Sequence, residues 1–452
     1  MKKFNREKAL RKIEFQRKWR RCSRYVYITI PCILCGILGL YLAYSKFFVT
    51  QENDVIQTKV GDFVYGDVII NNYVNGQYTV EAPARGRGYK VDKIVCDNGA
   101  VGEWNGKDWG PTISNVTRRS KCNIYFVDVD KINIGNVAVP LDDYGRCPTV
   151  NADGTVTVTE VESQYGYLCK AKDAYGDSYY YRGDVTNNYV KFAGFYWRII
   201  RINGDGTVRV IYDGTSAHAN GESSTDRQIG TSAFNSSYKD NAYVGYMYGK
   251  TGASTYAETH ANTNNSTIKT YLDTWYENNI KGTTNEQYIA DNIFCNDRSF
   301  ASNNSGTGAG TSKTDYRWHN FADSSYNNKM MLTCPQKNDA FTVNDTNNGN
   351  GALTYGVGLV TNDEVVLAGG WNLENSEYYL YSGQDYWTMS PSYSSYYFPN
   401  YYAYERSVSS DGIVGGIGYV SYASGARPVF NLKSEVLLQG TGTASDPYHL
   451  AS

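Results

Sequence analysis

The chain has 452 residues, of which 15% are aromatic and only 19% are charged, with 43 tyrosines and a formal net charge of −2 at pH 7. Beyond residue 24 no stretch is rich in Lys and Arg, which excludes a basic surface for binding nucleic acid. The length allows about two to four domains, and the weakly charged, Tyr-, Asn-, Ser- and Gly-rich composition is typical of exported proteins rich in strands and loops.

Residues 1–24 form a basic cytoplasmic segment with eleven Lys and Arg residues against two Glu, for a net charge of +9. The next twenty residues, 25–44 (YVYITIPCILCGILGLYLAY), carry no charge and have about the length of a membrane-spanning helix. Because basic flanks stay in the cytoplasm, we expect a single-pass signal anchor in the cell membrane with an extracellular C-terminal domain. A cleaved signal peptide is the alternative, but the basic region is long and no A-x-A site follows.

Nine cysteines fall into two groups. Three lie before or inside the apolar run, where Cys32-x-x-Cys35 would pack in lipid. The other six follow it, and an even number in an exported region predicts three disulfides. The sequence alone leaves their connectivity open, although order and spacing favour the pairs Cys96–Cys122, Cys147–Cys169 and Cys295–Cys334.

Residues 47–130 are predicted to form a small all-β module, an immunoglobulin-like sandwich that acts as a stalk. The prediction depends on short alternating runs separated by Gly- and Asn-rich turns, with no stretch of helical period. These runs cover residues 64–71, 78–82, 89–95 and 121–127. Residues 131–186 are predicted to be a connector with a β-hairpin at 151–154 (NADG).

The chain changes character from residue 187. Residues 189–203 and 207–213 are β-branched and aromatic runs that flank Gly-Asp-Gly, the strongest hairpin pattern in the sequence. Apolar residues of 266–280 fall on one helical face, with Asn265 or Ser266 as N-cap. A second short helix is predicted at 286–294. Further strands are predicted at residues 364–367, 385–389, 429–432 and 434–438.

The most unusual stretch is residues 392–404 (SYSSYYFPNYYAY), in which six tyrosines lie among Ser and Asn residues. Tyrosine offers a large contact area and a hydroxyl at little cost in rotamer entropy, while Ser and Asn supply adaptable hydrogen bonds. This composition favours a binding surface. The alternative is an exposed loop in a chain that is Tyr-rich throughout.

The sequence shows no catalytic or metal-binding constellation. No nucleophile lies beside a base at a recognisable spacing, and the four histidines are scattered. Loops rich in Asp and Asn, such as 344–351, could bind calcium weakly, but none has the EF-hand pattern. We therefore expect neither enzymatic activity nor a cofactor.

Several segments together resemble a known family. They are the hairpin at 192–213, the helices, DEVVLAGG at 363–370, WTMSP at 387–391 and the closing residues 426–432. They are similar to bacterial C-type lectin-like domains of the formylglycine-generating-enzyme (sulfatase-modifying factor) type. More narrowly, they resemble variable proteins of diversity-generating retroelements and their undiversified relatives. The resemblance implies an α+β C-type lectin-like domain over 187–452, in which residues 189–197 pair with 428–433.

The resemblance also implies a ligand-binding face within residues 392–422, with Trp387 and Arg427 as framework. The implied ligand-binding residues are Tyr393, Ser394, Ser395, Tyr396, Tyr397, Asn400, Tyr401, Tyr402, Tyr404, Tyr419 and Tyr422. Adenine-directed mutagenesis in such systems tends to leave Asn, Tyr and Ser codons, and the composition of residues 392–404 agrees with this. Composition alone does not show whether the tract is being diversified. The enzyme of this fold type uses cysteines late in the domain, but no Cys follows Cys334, so formylglycine-generating activity is not implied. The tripeptides with which animal C-type lectins hold calcium and sugar are also missing, so calcium-dependent sugar binding is not implied either.

Together these features predict a surface-displayed, membrane-anchored receptor or adhesin that binds an unknown protein or glycan through the Tyr-rich face. One alternative is an extracellular enzyme acting on a cell-wall or surface polymer. Asp385, Glu405 and Asp411 are the carboxylates near the face that such an enzyme could use. The other alternative is a structural surface-layer component.

Overall fold

The computed structural model describes most of the chain after residue 67. The described residues are 14–15, 68–83, 89–105, 109–117, 119–128, 131–134, 137–140, 146–301, 306, 314–316, 328–397, 400–437 and 439–450. The description covers the backbone alone at 131–134, 137–138, 140, 395–397 and 400–401. The chain divides into two compact units, Met1–Asn72 with Lys93–Ile124, and Tyr73–Asp92 with Tyr125–Ser452.

The predicted α+β class is wrong. The structure is mostly β-sheet, with 39% strand, 13% helix and three α-helices in the part of the chain that it describes. The difference arises because the helix predicted at 286–294 is reduced to a 3-10 turn at Glu286–Tyr288, while residues 166–183, predicted as a connector, form two long strands.

The structure also gives the predicted transmembrane helix, and the single-pass membrane localisation built on it, no support. The apolar run 25–44 lies outside the described residues. Among those that are described, no helix is both long enough and apolar enough to cross a membrane.

Residues 69–140 contain eight strands and, where described, no helix. They are β1 (Ile69–Val74), β2 (Gln77–Thr79), β3 (Tyr89–Cys96), β4 (Val101–Asn105), β5 (Gly110–Ser114), β6 (Lys121–Asp128), β7 (Lys131–Ile134) and β8 (Val137–Pro140). Strands β4 and β5 form an antiparallel hairpin, as do β7 and β8. In the first unit, the Cys96–Cys122 disulfide lies beside a small core formed by Ala100 and Ile113.

The rest of the chain contains nineteen strands and three α-helices among the residues described. The strands are β9 (Thr149–Val150), β10 (Val156–Thr157), β11 (Gly166–Asp173), β12 (Gly176–Gly183), β13 (Tyr189–Phe192), β14 (Phe195–Ile202), β15 (Val208–Gly214), β16 (Thr231–Ala233), β17 (Met247–Tyr248), β18 (Asn264–Asn265), β19 (Phe294–Cys295), β20 (Thr314–Asp315), β21 (Lys329–Met330), β22 (Ala340–Phe341), β23 (Tyr386–Tyr397), β24 (Asn400–Val408), β25 (Val414–Tyr419), β26 (Ala423–Gly425) and β27 (Val429–Leu432). The helices are α1 (Tyr256–Thr259), α2 (Thr267–Asn279) and α3 (Asn362–Leu367).

The core sheet has the order β11-β12-β14-β15-β27, with β13 paired to β14. The predicted hairpin is confirmed, because β14 and β15 pair antiparallel around the glycine turn. The predicted pairing of 189–197 with the C-terminal strand is wrong, since β27 pairs with β15. Trp197 still reaches that strand, and its ring stacks on Phe430 at a centroid distance of 4.8 Å.

The residues predicted as a connector contribute β11 and β12 to this core sheet. Two further disulfides, Cys147–Cys169 and Cys295–Cys334, form in this part of the chain. With Cys96–Cys122, the three disulfides are the pairs that order and spacing favour.

Helix α2 forms as its sequence predicts. The Ser266 hydroxyl caps it by accepting a hydrogen bond from the Lys269 N–H at 3.1 Å, and the apolar stripe is buried. The helix predicted at 286–294 shrinks to a 3-10 turn at Glu286–Tyr288. There the Asp291 carboxylate accepts hydrogen bonds from the N–H groups of Val343, Asn344 and Asp345, which holds that segment out of a helix.

The strand predicted at 364–367 is wrong, because these residues belong to α3. Thr361 and Glu364 form a capping box at its start, a Thr-x-x-Glu signal that was visible in the sequence. Residues Ser434–Leu437 form a 3-10 turn in place of the last predicted strand.

A buried ion-pair cluster joins the core sheet to the segments around it. The Asp213 carboxylate of β15 accepts hydrogen bonds from Arg227 at 2.8 Å and from Arg427 at 3.0 Å. Arg427 also donates to the carbonyl oxygens of Tyr212 and Leu380, at 3.1 and 2.7 Å. These side chains are fully buried. Removing the one carboxylate would therefore leave buried cations without a counter-charge.

We expect Asp213→Asn to destabilise the protein by about 3–5 kcal/mol, because it leaves Arg227 and Arg427 buried without their anion. The measurement is denaturant-induced unfolding of the full chain. The matched control is Asp177→Asn, which removes an ion pair with Lys170 that is about half exposed and should change stability by less than about 1 kcal/mol. Equal unfolding midpoints for the two variants would contradict the role given to Asp213.

Candidate functional site

The Tyr-rich tract forms a β-hairpin inside a second sheet. This sheet has the order β16-β26-β23-β24-β25, with β20 paired to β23. Residues 392–397 lie on β23 and residues 400–404 on β24, so the described part of the tract is strand and not irregular loop. The next strand, β25, ends at Tyr419 and forms the edge of the sheet.

Side chains alternate between the two faces of β24. Tyr402 and Tyr404 are partly exposed, whereas Ala403 and Glu405 are fully buried. This period of two is that of a half-buried strand, with one face in the core and the other open. The aliphatic residues expected on an inner face are scarce, so the sequence pattern alone does not reveal the alternation.

The register brings tyrosines of three strands together. Tyr404 lies between Tyr393 of β23 and Tyr419 of β25 as a direct cross-strand neighbour of both. The ring centroids are 4.3 Å apart for Tyr393 and Tyr404 and 4.6 Å apart for Tyr404 and Tyr419. Tyr422, in the turn after β25, meets Tyr419 edge to face at 5.1 Å and is 60% exposed.

Tyr238 extends this array, and sequence reasoning did not find it. It follows β16, and its ring stacks on Tyr402 at 5.5 Å and contacts Tyr419 at 5.4 Å. Its carbonyl oxygen accepts a hydrogen bond from the Ala403 N–H at 2.8 Å, which fixes the loop beside β24. No local signal marks Tyr238, because only the tertiary fold brings it here. We call these six residues the tyrosine face: Tyr238, Tyr393, Tyr402, Tyr404, Tyr419 and Tyr422.

The other implied ligand-binding residues are placed differently. Ser394 is fully buried on the inner face, because its neighbour Tyr393 takes the outer position, and so it does not contribute to the tyrosine face. The backbones of five more residues belong to the far end of the β23–β24 hairpin, but their side chains lie outside what the structure describes. These residues are Ser395, Tyr396, Tyr397, Asn400 and Tyr401.

Trp387 is buried directly behind the array. Its Nε1–H donates to the carbonyl oxygen of Ser232 on β16 at 2.8 Å. The ring lies so close to Gly418 of β25 that a Cβ there would approach it to 2.7 Å. The inner face of β25 is therefore shaped around this ring. Arg427 anchors the segment after β26 through the Asp213 cluster.

The three carboxylates considered for catalysis do not form a pair on the tyrosine face. Glu405 is buried on the opposite face, and none of the residues that the structure describes forms a hydrogen bond with its carboxyl oxygens. Asp385 accepts a hydrogen bond from the Ser410 N–H at 2.7 Å. Asp411 accepts hydrogen bonds from the Ser409 hydroxyl and the Ile413 N–H. Asp385 and Asp411 thus both stabilise the turn before β25.

Burial sets the protonation of the site. It raises the pKa of the Tyr404 hydroxyl, and hydrogen bonding with Tyr419 and Tyr393 raises this pKa further. Burial also raises the pKa of Glu405 well above its usual range, although the charges of Arg298 and Arg406 oppose the shift. Tyr404 therefore keeps its proton at physiological pH, and burial favours the protonated form of Glu405 behind it. The exposed Lys239 ammonium lies 6.0 Å from the centre of the Tyr238 ring, beside the face.

The described residues offer no ready metal centre. No group of three His, Cys, Asp or Glu side chains among them could hold a metal ion. In the Asn-rich loop at 344–351, the Asp345 carboxylate accepts hydrogen bonds from the N–H groups of Asn347 and Asn348. Weak calcium binding there stays a prediction.

Comparison with protein-family models, with curated proteins and with solved structures found no match to this chain. The resemblance to C-type lectin-like variable proteins therefore stays a prediction from the sequence.

Glu405 gives the folded protein an unusual pH dependence. A buried carboxyl with a raised pKa keeps its proton in the folded state, while the unfolded chain releases it at about pH 4.3. Stability should therefore fall as pH rises from about 4.3 towards the folded-state pKa, by up to about 1.4 kcal/mol per pH unit. Thermal unfolding of the wild type and Glu405→Gln at pH 5, 6, 7 and 8 tests this expectation. The Gln variant should lose less stability over this range, and parallel curves would refute the neutral buried acid.

Proposed function

We propose that this is a ligand-binding protein and that the tyrosine face is its binding surface. One observation carries the proposal: rings from β23, β24, β25 and two loops stack into a continuous, partly exposed array on a sheet whose inner face is packed. Tyrosine is among the residues that dominate binding energy at interfaces, because it buries a large apolar area and still offers a hydroxyl.

The fixed positions of the rings support binding over a loosely exposed aromatic loop. Tyr404 contacts both Tyr393 and Tyr419, and Tyr402 is held between Tyr238 and Tyr419. Rings already ordered in the free protein lose little conformational entropy when a ligand covers them. An array of this kind therefore favours affinity.

The positions of the carboxylates also bear on the choice between binding and hydrolysis. Cleavage of a glycosidic polymer needs two carboxyl groups that flank the bond. Among the described residues near the face, Glu405 points into the core, and Asp385 and Asp411 bind backbone groups of one turn. These placements support a binding role over the alternative of a polymer-degrading enzyme.

The resemblance to variable proteins of diversity-generating retroelements adds that the tract is diversified. If so, the DNA next to the gene should contain a near-identical repeat that differs at adenines across codons 385–425, beside a reverse-transcriptase gene. Sequencing that DNA tests the idea. Without such a repeat, the tyrosine face is a fixed binding surface.

Replacing Tyr238, Tyr402 and Tyr419 by Ala should remove binding and lower the affinity at least about 100-fold, because hot-spot aromatics each contribute about 2 kcal/mol or more. The full chain and this variant are compared on a glycan array and on a display library of random linear peptides.

The single variant Tyr422→Ala should weaken binding, and Tyr78→Ala should not. The two rings are equally exposed, at 60%, but Tyr78 belongs to β2, far from the tyrosine face in sequence. If the triple variant retains every ligand of the wild type, or if neither panel yields a ligand, the proposed function fails. Concentration-dependent self-assembly without any ligand would favour a structural surface-layer component.

A further inference from the structure

The outer edge of β25 is open. This strand ends the sheet, and among the described residues no other strand pairs with its outer side. An unpaired edge presents a row of N–H and C=O groups that can bind another extended chain. Which groups point outward follows from the ladder between β24 and β25.

The hydrogen bonds around β25 fix its orientation. Val420 N–H donates to the carbonyl oxygen of Ala403 at 3.2 Å, so this cross-strand pair points inward. Direction alternates along an antiparallel ladder, which turns the backbone groups of Ile417 and Tyr419 outward. The Val414 N–H, beyond the bulge, also points outward and donates to Trp371 O at 2.7 Å.

Three backbone groups remain open on this edge. They are the N–H and C=O of Ile417 and the N–H of Tyr419, since the Tyr419 carbonyl oxygen accepts a hydrogen bond from Tyr422 N–H at 2.8 Å. No hydrogen-bond partner contacts these three groups in the described part of the chain. The Trp371 contact closes one end of the open stretch, and the turn at Tyr422 closes the other.

Edge strands of soluble proteins usually have a charged side chain, a proline or a bulge that prevents them from pairing with another chain. The core sheet follows this rule, because its edge strand β11 exposes Lys170 and Lys172. Strand β25 (VGGIGY) has no charged residue and no proline, and its one bulge precedes the open stretch. Ile417 is 50% exposed on the same side as Tyr419. The open edge is thus uncharged and continuous with the tyrosine face.

We propose that this edge binds an extended, uncharged polypeptide segment of a partner protein as an added strand. The inference rests on the proposed function and names its ligand class. Ile417 would exchange both backbone hydrogen bonds with one residue of the segment, and every second side chain would pack on Ile417, Tyr419 and Tyr422. An uncharged segment fits because strand β25 (VGGIGY) has no ionised side chain that could pair with a charge on its partner.

A short peptide fits this edge better than a second copy of the chain. The open stretch is bounded at both ends and offers only three backbone groups, whereas a stable dimer buries about 1,200 Å² or more. A peptide can bind this short edge and cover the neighbouring rings at the same time, which makes up for the small number of hydrogen bonds.

The test uses the full chain and a phage-displayed library of random linear peptides. A selected peptide is resynthesised with single backbone N-methyl groups, each of which removes one N–H. The open edge offers one acceptor, the Ile417 carbonyl oxygen, so N-methylation should lower the affinity about tenfold or more at the single peptide position that donates to it. N-methylation of the two adjacent residues, whose N–H groups point away from the edge, should change the affinity little. The wild-type protein serves throughout, so this readout does not depend on any variant folding.

The matching change on the protein is Ile417→Pro. It removes an outward N–H that is not part of the ladder with β24, and edge strands tolerate proline there, so the melting temperature should change little. Peptide affinity should fall about tenfold or more. The control Ile417→Val keeps the N–H and removes one methylene group of the contact surface, so its affinity should fall by less than about fivefold.

Other outcomes overturn the inference. Peptides that depend on Tyr402 and Tyr419 but tolerate N-methylation at every position and bind Ile417→Pro normally would leave the proposed function intact and refute strand addition. Enrichment of glycans without any peptide would refute the ligand class. A dimer that Ile417→Pro dissociates would assign the edge to a second copy. If the wild type selects no ligand beyond those of the tyrosine-face triple variant, both proposals fall.

Discussion

The buried pairing of Asp213 with Arg227 and Arg427 connects the two large sheets of this protein. Arg427 lies between β26, a strand of the sheet that carries the tyrosine face, and β27, the last strand of the core sheet. Its guanidinium binds Asp213 of β15 and carbonyl oxygens on both sides, and it lies 4.9 Å from the centre of the Tyr386 ring. A buried cation with these contacts has one low-energy position, so the start of β23 and the end of β26 are fixed relative to β15.

Two buried glutamates have opposite pKa shifts because their neighbouring side chains differ. Burial opposes the ionisation of Glu364, but Arg209 and Arg201 hold its pKa below the ordinary value, and it caps α3 as a carboxylate. Glu405 is equally buried and has no hydrogen-bond partner among the described residues, so burial raises its pKa and favours its protonated form. The first glutamate stabilises the scaffold. The second places an unsatisfied polar group directly behind the tyrosine face, as is more common at functional surfaces than in cores.

The inner face of the β23–β24–β25 sheet makes the sheet rigid, and the outer face is available for recognition. On the inner face, the Trp387 ring fills the space above Gly418 and binds Ser232. On the outer face, rings contact one another and leave hydroxyl groups and ring edges for a ligand. Because the inner packing fixes the strand register, it also fixes the outer array. Recognition by preordered aromatic rings and by an open strand edge can then act on the same ligand.

The sequence by itself determined the features that depend on near neighbours. The Ser266 cap, the β14–β15 hairpin and the aromatic composition of residues 392–404 are all local signals. The capping box of α3 was equally visible, although its Val-Val-Leu residues suggested a strand. Only the tertiary structure decided that β27 pairs with β15, that Tyr238 joins the array and that Ser394 turns inward. The physical reason is that strand pairing and side-chain direction depend on register. A register shift such as that between Pro391 and Tyr393 is set by contacts between residues far apart in the chain.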